Sequence, residues 1–372
     1  MNEKNISLTR AAKQTEIIRK IQKILKSYGY SEIFLPLYEY YDVLKNTVWN
    51  FKDENIIRFI DRNTGKSLVL RPDFTPQVCR TVANYMSDSP KPLRLSYKGR
   101  IFRNVNTNKG IKSEKYQAGG ELFGAKEIYG DYEILFMAYK IMCAMGFDNH
   151  KIIIGDANLL KSVLKIANEN DYEQCLTGKQ FSLLNSVLEK LSVNDSEFEL
   201  LKFFPYACGG LEVLNALKTK SIFSTRLSER INYIEGLFKK LIKAGIPEDI
   251  LVFDAGETRG LNYYTGINFN MVYSDRGISV GGGGRYDTLM SRFGISMTAC
   301  GIAFDIEEFL SYYELNDSES DFDYLMIGEN LINEAESLRN KGFSVFWAED
   351  ESELEKLKSL YNFKNICSEV QK

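Results

Sequence analysis

Tyr116-Gln117-Ala118-Gly119-Gly120-Glu121 has the composition of a strand built around a ligand. Side chains alternate faces along a strand, so Gln117, Gly119 and Glu121 share one side. A glycine between two polar groups leaves room for something to approach the backbone. Read outward, the strand extends to Phe123 and is preceded by another over Leu93–Asn104, with a polar loop rich in Asn, Lys and Gly between them. Upstream, Ile56–Ile60, the turn Arg62-Asn63-Thr64-Gly65 and Ser67–Leu70 predict a hairpin. Residues 8–28 place Ile17, Ile18, Ile21, Ile24 and Leu25 at helical spacing up to Gly29. A short strand, Glu32–Leu35, then runs up to Pro36. Downstream, Glu127–Met145 predicts a helix and Lys151–Ile154 a strand.

From about residue 158 to 246 the pattern turns helical throughout. Strand signals return at Ile250–Phe253, Tyr263–Tyr273 and Ser279–Val280, and a helix is expected over Phe304–Tyr313. These elements predict an α+β fold: a mostly antiparallel sheet flanked by helices and interrupted by a helical insertion. The expected division is a main domain over 1–316 and, beyond the acidic linker Asn316–Asp323, a short α/β segment over 324–372. That segment predicts strands at Tyr324–Ile327 and Phe343–Ala348, with helices at Leu331–Asn340 and Glu351–Leu360. Fifty residues make a marginal core, which predicts docking on the main body.

Composition excludes several function classes. Lys plus Arg total 47 against 50 acids, a net charge of -3, which argues against a general nucleic-acid binder. No run approaches the roughly 20 apolar residues that span a bilayer, and the N-terminus lacks a secretory pattern, so a cytoplasmic protein away from membranes is expected. The six cysteines form no C-x-x-C pair, which predicts reduced thiols. His150 is the only histidine, so zinc and serine-triad chemistries are disfavoured and no metal or cofactor is expected. The glycine run Gly281–Gly284 lacks the Lys-Ser/Thr of a phosphate loop and is read as a close-packed strand end beside a ligand.

If the predicted strands share one sheet, Asp73, Arg103, Gln117, Glu121, Arg259, Tyr263 and Tyr264 converge on a cup. Such groups suit a zwitterionic amino acid: guanidinium forks take a carboxylate, and acids take an ammonium. An ordinary cross-strand ion pair of Arg103 with Glu121 is the alternative.

Successive segments resemble the histidyl-tRNA synthetase family. They are Leu70-Arg71-Pro72-Asp73-Phe74-Thr75, Gly99-Arg100-Ile101-Phe102-Arg103, Gln117-Ala118-Gly119-Gly120-Glu121, Arg259-Gly260-Leu261-Asn262-Tyr263-Tyr264-Thr265-Gly266 and Gly283-Gly284-Arg285-Tyr286-Asp287. The resemblance covers residues 1 to about 315 and implies a class II synthetase fold, with the first helix and Pro36 as the motif that builds a self-dimer. It implies that Asp73, Thr75 and Gln117 hold the amino end of histidine. Arg103 and Arg259 would face its carboxylate, and Glu121 with Tyr264 the imidazole, with Tyr263 a further histidine-binding residue. Asp73 stands where the family usually has Glu, which shortens its reach.

The nucleotide motifs depart from the family. Val105 stands where an acid follows the second-motif arginine, and Glu308 where the third motif carries an arginine. A carboxylate there repels a triphosphate, and one lost transition-state contact commonly costs about a hundredfold to a thousandfold in rate. The tail is also shorter than an anticodon-reading domain, so tRNA is not an expected partner. Intact amino-acid motifs with broken nucleotide motifs resemble the regulatory subunits of ATP phosphoribosyltransferase. That resemblance implies no active site, a short-form catalytic subunit as partner, and L-histidine as a feedback effector. An active histidyl-tRNA synthetase, or another aminoacyl transferase, is the rival reading.

Overall fold

The computed structural model describes residues 8–47, 53–105, 112–167, 170–177, 180–257, 263–314 and 322–368. Nine strands form the central sheet. Their order is Ser31–Glu32, Leu93–Phe102, Glu114–Phe123, Ala299–Asp305, Ile278–Arg285, Ile267–Tyr273, His150–Asp156, Leu251–Asp254 and Cys208–Gly209. Among the described residues, parallel pairing in this sheet occurs only at Ser31–Glu32 and between His150–Asp156 and Leu251–Asp254. The other neighbours are antiparallel. This is the expected α+β fold.

The first helix, Leu8–Ser27, buries Ile17, Ile21 and Leu25 completely. Burial of each such side chain contributes about 1.5–3 kcal/mol. Gly29 ends the helix at a φ of 84°, a left-handed conformation open to glycine. The chain then turns so that Tyr30 and Leu25 lie against the back of the sheet. A Cβ on Gly120 would meet Tyr30 at 2.8 Å and Leu25 at 3.1 Å, so that glycine lets the helix close on the strand. Tyr38–Tyr40, Ser67–Leu70 and Arg58–Ile60 form a separate three-stranded antiparallel sheet that contains the predicted hairpin.

Between Asp156 and Leu251 the chain is mainly helical and ends in the long helix Thr225–Lys243. Leu227, Ile231, Ile234, Leu237, Phe238 and Leu241 recur at helical spacing and are buried. The expectation of helix throughout is corrected at Cys208–Gly209, which pairs with the Leu251–Asp254 strand as the sheet's last strand.

Other boundaries move. The strand expected at Glu32–Leu35 is Ser31–Glu32. Tyr263 and Tyr264 precede the Ile267–Tyr273 strand instead of lying in it. Gly281–Gly284 fills the C-terminal half of the Ile278–Arg285 strand and packs closely on Ala299–Asp305, as expected. The largest correction is at residue 304: Ala299–Asp305 is a central strand, and the helix is the short Ile306–Leu310. Apolar residues at 302, 304, 306, 309 and 310 fit either period, and only pairing on both sides selects strand.

Contacts divide the chain into residues 1–313 and 314–372. The second unit is a parallel sheet ordered Val345–Ala348, Phe322–Ile327, Phe363–Ser368, with helices Ile332–Asn340 and Leu354–Leu360. Met326, Leu331, Ala335 and Val345 form its small core. The third strand, Phe363–Ser368, lies beyond the elements that the sequence predicts. No helix among the described residues is long and apolar enough to cross a membrane.

Candidate functional site

A cavity of about 290 Å³ opens on the face of the central sheet. That volume sits at the lower end of the roughly 300–1,000 Å³ of small-molecule pockets. Asp73, Thr75, Arg103, Gln117, Glu121, Tyr263 and Tyr264 all line it. Arg259 lies outside the described residues. Three further polar residues in the wall, Tyr97, Tyr286 and Asp305, escape the sequence reading, as does Gly301, whereas Gly282–Gly284 lie in the wall as expected.

The strand pairings explain the convergence. Glu114–Phe123 lies between Leu93–Phe102 and Ala299–Asp305, with Glu121 opposite Leu95 and Gly301, and Gln117 opposite Gly99 and Asp305. Glu121 and Gln117 therefore face the cavity four residues apart on one strand. Glycines make the room. A Cβ on Gly301 would collide with the Glu121 carboxylate, and one on Gly119 would meet the Tyr97 hydroxyl at 2.7 Å. Asp73 and Thr75 come from the turn into the Thr75–Tyr85 helix. Arg71, just before it, donates to the carbonyls of Leu35 and Pro36 at 3.1 Å and Arg100 at 2.8 Å, and lies over the Phe74 ring. Arg71 is thus a strut of the wall, and burial lowers its guanidinium to about 10.

Glu121 is 1% exposed. Its Oε1 accepts from Thr75 Oγ1 at 2.7 Å and from the Tyr97 hydroxyl at 3.2 Å, and its Oε2 accepts from the Tyr286 hydroxyl. The cross-strand ion pair with Arg103 does not form; Arg103 Nε donates instead to the Pro72 carbonyl at 3.1 Å. Burial raises the Glu121 carboxyl to about 8 against the lowering pull of its three hydroxyl donors, and Asp73 adds to the rise. Burial also raises Asp73, opposed chiefly by the charge of Arg103. Tyrosine rings close the rest: Tyr263 and Tyr264 stack at 4.5 Å, and Tyr97 stacks on Phe74 at 4.2 Å. The backbone behind Tyr264 is tied down by Lys161, which donates to its carbonyl at 3.0 Å, and by Asn158, which donates to that of Thr265 at 2.7 Å.

The far side of the cavity is acidic. Gln117 Nε2 donates to Asp305 Oδ1 at 2.9 Å, and Lys115 Nζ donates to Asp305 Oδ2 at 3.0 Å and to Glu308 at 3.5 Å. Glu307 accepts from the Tyr116 backbone N–H at 2.8 Å. Two carboxylates of the third motif, Asp305 and Glu308, therefore share one lysine, and Asp305 lines the cavity. The arrangement offers the cavity a hydrogen-bond-accepting wall, the inverse of a phosphate cradle.

The signals for the missed residues differ. Tyr286 sits inside the Gly-Gly-Arg-Tyr-Asp segment and was legible there. Tyr97 is an aromatic in a predicted strand, indistinguishable from core. Asp305 was hidden because its segment was read as the start of a helix.

The sequence pattern of the histidyl-tRNA synthetase family matches residues 4–309. An ATP phosphoribosyltransferase regulatory subunit of Clostridium kluyveri is 30% identical over 355 residues, 91% of this chain and 90% of that protein. One from Geobacter metallireducens is 34% identical over 301 residues, 79% of this chain and 69% of its relative. The chain belongs to the histidyl-tRNA synthetase family, among the ATP phosphoribosyltransferase regulatory subunits. A solved ATP phosphoribosyltransferase regulatory subunit/histidyl-tRNA synthetase from Bacillus halodurans superposes with a TM-score of 0.82, covering 96% of this chain and 94% of that one. At 21% identity that likeness speaks for the fold. As a regulatory-subunit sequence, the chain keeps the amino-acid motifs of the family at the cavity. Glu308, expected where the family carries an arginine, lies beside Lys115.

Proposed function

We propose that this chain is a non-catalytic subunit that activates a short-form catalytic ATP phosphoribosyltransferase and conveys feedback by binding L-histidine in the sheet cavity. One observation carries the reading: Glu121 is a buried carboxylate whose partners among the described residues are all hydroxyls. It can still accept an N–H from a ligand, as an imidazole offers. Gln117 and Asp73 then take the ammonium, and Arg103 with Arg259 the carboxylate. Thr75 spends its one proton on Glu121, so it meets the ammonium only as an acceptor. Tyr263 and Tyr264 stand beside the imidazole. Each charge-assisted bond contributes about 1.5–3 kcal/mol, so a few suffice after association costs.

Feedback requires histidine to prefer the inhibited arrangement of the assembly, typically by about 1–3 kcal/mol of coupling. The acidic third motif supports the absence of synthetase activity. A self-dimer through the first motif is supported by exposed Phe34, Leu37, Tyr38, Tyr40, Phe59 and Ile60 around the small sheet. The cytoplasm is the expected compartment.

The test mixes the purified chain with a catalytic ATP phosphoribosyltransferase and follows phosphoribosyl transfer. Activity should rise on mixing and fall with histidine, and the fall should be lost with Glu121→Gln. Failure of the two chains to associate would sink the proposal. The family match favours one other reading, an active synthetase, which histidine-dependent exchange between ATP and pyrophosphate would revive.

A further inference from the structure

Gln117 is 7% exposed, and its two amide atoms are unequal. Nε2 donates to Asp305 at 2.9 Å, whereas Oε1 is buried at the cavity wall and accepts nothing from the described residues. A buried acceptor left alone carries the desolvation cost of an unmade hydrogen bond. An amide can ordinarily escape that cost by turning over, because its oxygen and nitrogen have nearly the same shape. Here it cannot. Asp305 is an acceptor on both oxygens, and Lys115 already donates to the second at 3.0 Å. A flipped Gln117 would set its oxygen against a carboxylate.

We infer that Asp305, held by Lys115, is a positioning residue that locks the Gln117 amide with its oxygen toward the ligand, making the cavity specific for an α-ammonium group. The inference rests on the proposed binding of an amino acid in this cavity and adds the origin of its selectivity. The orphaned oxygen is an acceptor kept in place before the ligand arrives. A ligand bringing N⁺–H satisfies it, and one of the same skeleton without the amine leaves it unpaired. Lys115 matters for geometry: it is shared between Asp305 and Glu308, on the strand and the helix of the third motif. That motif thereby serves amino-acid selection.

Asp305→Asn tests the idea, because asparagine keeps the size and has one acceptor for two donors. The charged Lys115 competes better for that oxygen. The asparagine amide then faces Gln117, which turns its oxygen inward and presents its own N–H groups to the ligand. Calorimetry with the full chain should show histidine weakened tenfold or more by Asp305→Asn. Binding of 3-(imidazol-4-yl)propionate, the same skeleton without the amine, should change less than threefold. The double variant Asp305→Asn/Gln117→Glu restores an acceptor at position 117, since the asparagine now donates to one carboxylate oxygen while the other meets the ammonium. Histidine affinity should recover most of the loss. Equal losses for both ligands, or no recovery in the double variant, would show that Asp305 is merely structural and overturn the inference. A wild-type chain that binds neither ligand overturns the amino-acid reading as well, which separates the two failures.

Discussion

Glu121 and Asp131 are both buried carboxylates of the main domain, 1% and 0% exposed, yet the fold treats them oppositely. Asp131 has a cation from its own chain: Arg285 lies 2.7 Å away, and the Tyr233 hydroxyl donates at 2.7 Å. Burial raises its carboxyl, Arg285 opposes, and the result is about 6. Among the described residues Glu121 has hydroxyls alone, and it rises to about 8. A buried acid that is given an internal cation joins elements together. Here Asp131 and Arg285 tie the Glu127–Ala144 helix to the Ile278–Arg285 strand, and Tyr233 brings in the long helix of the insertion. A buried acid with hydroxyls only is left for a donor from outside. The contrast separates scaffold from site without reference to any ligand.

The largest effect should come from the scaffold side. Arg285→Met strands Asp131 in the interior and should lower unfolding free energy by about 3–5 kcal/mol, measured by denaturant titration. Adding Asp131→Leu should recover much of it. A single variant as stable as wild type would mean that the pair does not join these elements.

Glu121→Gln should do the reverse. The unfolded carboxyl ionises near 4.5, and the folded one near 8, so ionisation works against folding increasingly as pH rises across that interval. The variant should therefore melt above wild type at pH 8, with the gap closing near pH 4.5. Its affinity for histidine should drop roughly tenfold to a hundredfold, the equivalent of one charge-assisted bond. A variant that melts lower at pH 8 and binds normally would place Glu121 with Asp131 as scaffold.

The same carboxyl predicts a proton linkage. Near neutrality the empty cavity holds a proton on Glu121, which an N–H donor expels on binding. Affinity should fall as pH drops from 8, by up to about tenfold per unit, and keep falling below the imidazole's own titration near 6.5, where the free ligand takes up a proton as well. Calorimetry in buffers of different ionisation enthalpy would count the released proton, and no release would contradict the assignment. Smallest of all, Tyr97→Phe removes one of three hydroxyl donors and should weaken binding severalfold, about 1 kcal/mol. An effect as large as that of Glu121→Gln would show that Tyr97 does more than support the carboxylate.

Much of the site was legible because its residues sit in contiguous motifs. Gln117 and Glu121 share a face by strand alternation, and Asp73 and Thr75 follow a recognisable turn. Asp305 was not legible, since its role depends on lying opposite Gln117 in a register that no local pattern specifies. Tyr97 was invisible for a related reason. An aromatic in a strand reads as core until Gly119, from the next strand, is seen to leave space for its hydroxyl.

Sequence alone determined the α+β class, the helix Leu8–Ser27, the hairpin of the small sheet and the charge of the groups at the cavity. Periodicity and residue type are local properties, and these features follow from them. Tertiary structure decided the strand at Ala299–Asp305, the hydroxyl cage of Glu121 and the locked amide of Gln117. Each depends on which strands become neighbours and on how deeply a group is removed from water, and both are set only when the whole sheet closes.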